Sequence, residues 1–139
     1  MTLLNPYLHF NGQCQEAMEF YQKCIGGELF LQKLKDSPLA DTSPVRIHDQ
    51  ILHSSLTKDG ITLMATDMVG TAGHIPGNNV CLSLSCSSEE EMNRFFSALS
   101  QDGRIIHEVH RSFWGALFGV FTDKYGIEWM VDYDPKNNG

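Results

Sequence analysis

The stretches Leu56–Met64, LTKDGITLM, and Phe121–Met130, FTDKYGIEWM, follow one pattern. Each runs from an apolar residue and Thr, through charged residues around a Lys, to Gly-Ile, and closes on an apolar pair ending in Met. Gly60-Ile61 and Gly126-Ile127 stand 66 positions apart in a chain of 139 residues. Two β-branched and apolar runs around a charged Gly turn read as a β-hairpin, so the sequence predicts the same hairpin twice.

Working outward, each hairpin closes a longer series. Before the first, TLLNPYLHF reads as a strand, with Pro6 at its edge or beginning because Pro cannot donate to a ladder. Cys14, Ala17, Met18, Tyr21, Cys24 and Ile25 then recur at the spacing of one helical face, and Gly26-Gly27 supplies a stop. ELFLQKL is a second strand. Before the second hairpin, NVCLSLSC is a strand, and Met92, Phe95, Phe96 and Leu99 form a helical stripe ended by Gly103. Ser87 with Glu90, or Ser88 with Glu91, offers a capping box at that helix start. RIIHEVH, FWGALFGVFT and IEWMVDY read as three more strands.

The order is β-α-β-β-β twice. Phe20-Tyr21 precede Phe95-Phe96 by 75 positions, and Gly27 precedes Gly103 by 76. Three features repeated in one order point to duplication. The fold class is therefore α+β: one domain over 1–139 made of two βαβββ modules, the first spanning 1–67, a linker 68–78 rich in Gly70, Gly73, Pro76 and Gly77, and the second spanning 79–135. A sheet covered by one short helix leaves apolar surface to bury, and paired curved sheets of this kind enclose a small-molecule cavity.

Composition narrows the partners. An apolar fraction of 42% fits a globular core, while a net charge of −7 argues against nucleic acid or an anionic membrane. No run approaches the ~20 apolar residues of a membrane span, and MTLLNPYLHF carries no basic n-region before an apolar run, so a cytoplasmic location is expected. Cys14, Cys24, Cys81 and Cys86 form no zinc-knuckle spacing and read as buried small hydrophobes of a reducing compartment.

The quoted segments also resemble a known family. Paired βαβββ modules with EAMEFYQKCIGGEL after the first strand look like the vicinal oxygen chelate superfamily of glyoxalase I, bleomycin-resistance proteins and extradiol dioxygenases. PYLHFNG, HSSLTKDGITLMATD and SFWGALFGVFTDKYGIEWMV look like its PhnB-like branch, across almost the whole chain. The resemblance implies a glyoxalase/bleomycin-resistance-like fold, a homodimer, and, in the superfamily's metalloenzymes, a divalent metal held by His and Glu or Gln from the first and last strands of each module. Carried over, those positions are Pro6 or a neighbour, Met64, a residue between Asn79 and Cys81, and Met130. Thioether sulfur is a poor ligand for hard or borderline divalent ions, so no metal is expected at Met64 and Met130 and no cofactor is expected. A divalent metal remains possible elsewhere. The branch also carries the label of a ubiquinone-pathway methyltransferase, but no Gly-rich loop followed by an acidic ribose-binding residue supports it.

The candidate ligand-binding residues are His9, His53, Asp67, Trp114, Phe118 and Trp129. His53 and Asp67 form an alternative metal pair, with Glu128 as a further donor; whether the pair shares a face depends on register. Phe113-Trp114 open a strand that continues through Phe118, and Trp129 is a candidate for the same wall. His107 and His110, an odd number apart, face opposite ways, and His48 and His74 lie in loops. The Asp36–Gln50 loop, with Pro38 and Pro44, is a candidate lid. The expected function is small-molecule binding in a metal-free cavity. The alternatives are a metal-dependent lyase, isomerase or dioxygenase using a relocated site, and a dimeric scaffold with a vestigial cavity.

Overall fold

A computed structural model describes residues 1–69 and 73–136. The chain divides into two compact units, Met1–Pro76 and Gly77–Gly139. Gly70 of the expected linker lies outside the described residues; Gly73 and Gly77 both adopt positive φ.

In the first unit β1 (Tyr7–His9) leads to α1 (Cys14–Ile25), β2 (Glu28–Lys33), β3 (Ile51–Lys58) and β4 (Ile61–Thr66). The sheet order is β1-β4-β3-β2, with β1 parallel to β4 and the other pairs antiparallel. In the second unit β5 (Leu82–Ser85), α2 (Glu89–Leu99), β6 (Arg104–Arg111), β7 (Leu117–Thr122) and β8 (Glu128–Tyr133) repeat that topology as β5-β8-β7-β6. Pro6 sits just ahead of β1 and uses its carbonyl, the one ladder group it has, to accept from the Met64 amide at 3.1 Å.

Each helix covers one face of its own sheet. The α1 stripe of Cys14, Ala17, Met18, Tyr21 and Ile25 is buried with Ser54 and Leu56 of β3 and Leu63 and Ala65 of β4. The α2 stripe is buried with Phe121, Trp129 and Val131, and the Phe96 ring meets Phe121 edge-on at 5.4 Å. Phe96 also packs against Gly119 of β7, where a Cβ would collide with its ring.

The helix ends are built alike. Gly27 and Gly103 each bring backbone against the third strand of their module, so that a Cβ would run into the carbonyl oxygens of Thr57 and Thr122, respectively. Gly103 lacks a positive φ, so its requirement is close approach rather than backbone conformation.

The helix starts differ. Ser88 accepts from the Glu91 amide at 3.0 Å, and Glu91 reaches back to the Ser87 amide at 3.0 Å. That is the second of the two expected boxes, shifted back by one residue. Helix α1 has no side-chain cap of its own at Gln13. Its first amide, at Cys14, and that of Gly12 in the preceding turn instead donate to Asp67 Oδ1, just past the end of β4, both at 2.9 Å.

The hairpins differ by one residue at the turn. Lys58 pairs with Ile61 around Asp59-Gly60, with Asp59 at φ 48. In the second, the Asp123 amide donates to Ile127 around Lys124-Tyr125-Gly126, and Gly126 takes φ 90, which fits a three-residue turn closed by a left-handed Gly.

The 34–50 segment departs from a plain loop. It holds three short 3₁₀ turns, Leu34–Asp36, Pro38–Thr42 and Val45–Ile47. Its neck is closed by Leu34 N to Gln50 O and Lys35 N to His48 O, both 2.9 Å. His48 Nε2 lies 3.1 Å from the Ala40 and Ser43 carbonyls, so His48 is half-buried at the segment's centre. The expected exposed loop histidine is a strut.

Candidate functional site

The face of each sheet turned away from its helix carries the side chains that the core does not use. Register fixes which they are, because directly paired residues point the same way and neighbours along a strand alternate. In the first unit one row reads His9, Thr66, His53, Gln32, and the next Tyr7, Met64, Ser55, Phe30. The Tyr7 hydroxyl lies 3.3 Å from His53 Nδ1, and the Tyr7 ring meets those of His9 and His53 at 5.6 and 5.8 Å. Phe30 flanks His53 at 6.4 Å.

The matching rows of the second unit read Ser85, Asp132, Phe118, His110 and Ser83, Met130, Val120, His107. His110 packs on the Phe118 ring at 4.3 Å, and Trp114 stacks on its parallel ring plane at 6.0 Å, 7° apart. Ser83 and Ser85 donate to Asp132 Oδ2 at 3.3 and 3.4 Å.

Four of the six candidate residues therefore stand on open faces: His9 and His53 on the first sheet, Trp114 and Phe118 on the second. Asp67 and Trp129 stand on the covered side. Asp67 is 3% exposed; besides the α1 amides it accepts from Ile51 N at 2.9 Å through Oδ2. The sheet thus separates it from His53, and the pair does not converge. Trp129 is 2% exposed, and its indole donates to Asp123 Oδ2 at 2.8 Å while Asp123 Oδ1 accepts the Tyr125 and Ile127 amides. It anchors the second hairpin rather than lining a wall with Phe118.

Two further corrections come from local backbone. Phe113 and Trp114 do not open a strand; they sit in the turn between β6 and β7, where Ser112 N bonds Ala116 O and Gly115 takes φ 96. The turn leaves Trp114 53% exposed beside Phe118. His107 and His110 face the same way, their rings 6.4 Å apart. Register slips at Ile105/His107 and His107/His110 each put one extra β6 residue opposite β7, and the bulge between the two histidines reverses the parity that alternation predicts.

The cysteines are not uniform. Cys14 and Cys86 are buried, but Cys24 is intermediate and Cys81, ahead of β5, is exposed. Burial pushes the Cys14 thiol up to about 12, against the Ser54 hydrogen bond and with the charge of Asp67 adding to it. Burial, then Glu91 and Asp132, do the same at Cys86, also to about 12. Cys81 is raised too, by burial and then by Glu128. Thiols raised in this way are poor nucleophiles.

The positions that the resemblance assigns to a metal can now be read from pairing. Met64 pairs with Tyr7, and Met130 with Ser83. The second first-strand position is thus Ser83, outside the expected Asn79–Cys81. A phenol, a hydroxyl and two thioethers do not fit a hard or borderline divalent ion. Among the described residues no group of three or more His, Cys, Asp or Glu is arranged to hold one.

Comparison with known proteins follows the same lines. The family profile described as 3-demethylubiquinone-9 3-methyltransferase matches residues 3–132. The chain belongs to that family. It is 30% identical to protein YjdN of Escherichia coli (strain K12), over 93% of both chains. Protein PA1353 from Pseudomonas aeruginosa superposes with a TM-score of 0.83 at 34% identity, covering 96% of this chain and 98% of that one. A PhnB protein from Bacillus cereus superposes at 0.73 and 24%, covering 96% and 100%. The fold reaches further, to a glyoxalase/bleomycin resistance protein/dioxygenase family enzyme from Burkholderia phytofirmans PsJN, at 0.64 and 10%, covering 91% and 95%.

A methyl-donor site of the Gly-rich-loop kind does not fit this family member. The β1–α1 turn holds Gly12, but the Gly12 and Cys14 amides that a nucleoside cofactor would need already donate to Asp67.

The sequence pattern missed Tyr7, Phe30, His107, His110 and Asp132 as open-face residues. The signal was present in the even spacing of Asp132 from Met130 and of Tyr7 from His9. Without register it did not say which face was open.

Proposed function

We propose that this PhnB-like protein binds a small organic molecule on the open side of its sheets, without a metal ion. The observation that carries the reading is the ring stack His110–Phe118–Trp114 on a face that no helix covers. Exposed, pre-ordered aromatic rings are a favourable platform for a flat or apolar ligand. Thioethers at Met64 and Met130 support binding without metal. A cytoplasmic homodimer is part of the same proposal and rests on the family resemblance.

Protein purified without a tag, screened against aromatic compounds by thermal shift and tryptophan emission, tests it. A ligand at 100 times its dissociation constant adds about 2.7 kcal/mol to stability, a clear rise in Tm. Because Trp129 is buried and bonded, the emission change is expected to come from Trp114 and to vanish in Trp114→Phe. Stoichiometric, tightly held metal that is lost in His53→Ala would overturn the metal-free reading. A library that moves neither Tm nor emission would overturn binding itself.

A further inference from the structure

The two open faces have diverged in one consistent direction. Along β4 the positions on this side are Thr62, Met64 and Thr66, the last buried with its hydroxyl donating to the Ile51 and Leu52 carbonyls; along β8 the equivalent positions are Glu128, Met130 and Asp132. The Met is kept, and both flanking hydroxyls have become carboxylates. Neither Glu128 nor Asp132 has an ion-pair partner among the described residues.

Asp132 is also held in place. Its Oδ2 accepts the two serine hydroxyls of β5, while Oδ1 has no hydrogen-bond partner among the described residues. Asp132 pairs directly across the ladder with Phe118, which puts their Cβ atoms about 5 Å apart. The Phe118 ring in turn carries Trp114 parallel to it and His110 on its flank. A fixed anion beside aromatic faces attracts one kind of group in particular: a cation with a hydrocarbon surface, which takes Coulomb attraction from the carboxylate and quadrupole attraction from the rings.

The geometry points to an organic ammonium ion, an amine or quaternary ammonium with an attached apolar body, as the ligand of the second unit's open face. Asp132 meets the charge, and Phe118 and Trp114 meet the carbon skeleton. Glu128 adds negative potential four residues along β8 on the same face, which it shares with Arg104, paired with Thr122 at the β6 edge, and with the imidazoles of His107 and His110. This rests on the reading that the face binds a small molecule and names the class.

Benzyltrimethylammonium, benzyl alcohol and benzoate, titrated calorimetrically at pH 8 into the full chain, separate the class from the reading. The ammonium is expected to bind at least tenfold more tightly than the neutral and anionic rings. Asp132→Asn, which keeps an acceptor oxygen for the two serines, is expected to weaken the ammonium at least tenfold and leave benzyl alcohol unchanged. Trp114→Ala is expected to weaken all binding. If benzyl alcohol or benzoate binds as tightly as the ammonium, or Asp132→Asn leaves the ammonium within twofold, the ammonium class is overturned while small-molecule binding stands. If none of the three binds to folded protein, the ammonium class is overturned as well, and the library screen decides the broader reading separately.

Discussion

Asp67 gives the sharpest test of the covered side. Its carboxylate takes three backbone N–H groups at 2.9 Å: one from Cys14 at the start of α1, one from Gly12 in the turn just before it, and one from the start of β3. Hydrogen bonds to a charged group contribute roughly 1.5–3 kcal/mol each, and a buried donor left without a partner costs about 1–3 kcal/mol. In Asp67→Asn the amide oxygen can keep Gly12 and Cys14, but the amide nitrogen then faces the Ile51 N–H, donor against donor. The expected loss is about 2–3 kcal/mol. In Asp67→Ala all three donors lose the side chain, and the expected loss is about 3–5 kcal/mol. For a chain of this length each kcal/mol lowers Tm by about 3–5 °C, so the Asn variant is expected to melt about 6–15 °C lower. Urea unfolding at constant m measures the same difference independently. A ligand-facing carboxylate would behave differently: Asn would alter binding and leave stability alone. An Asp67→Asn protein within 1 °C of the parent would refute the account of this residue as the remote cap of α1.

Gly103→Ala drives a methyl into the Thr122 carbonyl, and overpacking of this kind costs about 1–3 kcal/mol; Gly60→Ala, with open space around it, is the control that is expected to stay within about 0.5 kcal/mol in urea unfolding. The thiols give a pH dependence with a definite sign. Folded Cys14 and Cys86 sit at about 12 against a reference of 9.0, so their contribution is full below pH 9 and is lost as pH rises from 9 toward 12. The urea midpoint of the parent is expected to fall more steeply across that window than that of the Cys14→Ala/Cys86→Ala variant, and parallel curves would contradict it.

What the sequence made legible divides along a physical line. The hairpins, the helical stripes and the duplication depend on short-range periodicity and turn chemistry, and all of these appear as expected in β3-β4, β7-β8, α1 and α2. Facing depends on register and on bulges, which one-dimensional spacing does not carry. Hence the odd spacing of His107 and His110 puts them on opposite sides, although the slip between them in β6 brings them to one face. Asp67 and Trp129 read as site residues because a polar or aromatic side chain near a strand end suits a cavity wall or a core anchor equally well. Only their partners, the α1 amides and Asp123, decide between these. The lid expectation had the segment's length right and missed that its own carbonyls converge on His48.

The slips in β6 also bear on solubility. This eight-residue strand is the edge of its sheet, and Ile105 and Ile106 are both exposed along it. A straight apolar edge of that length would present a regular row of amides and carbonyls to any other strand, the usual route to edge-to-edge aggregation. Two interruptions in eight residues break that row into pieces too short and too twisted to template a partner. The strand that carries the two histidines onto the open face is thereby made a poor substrate for uncontrolled sheet extension.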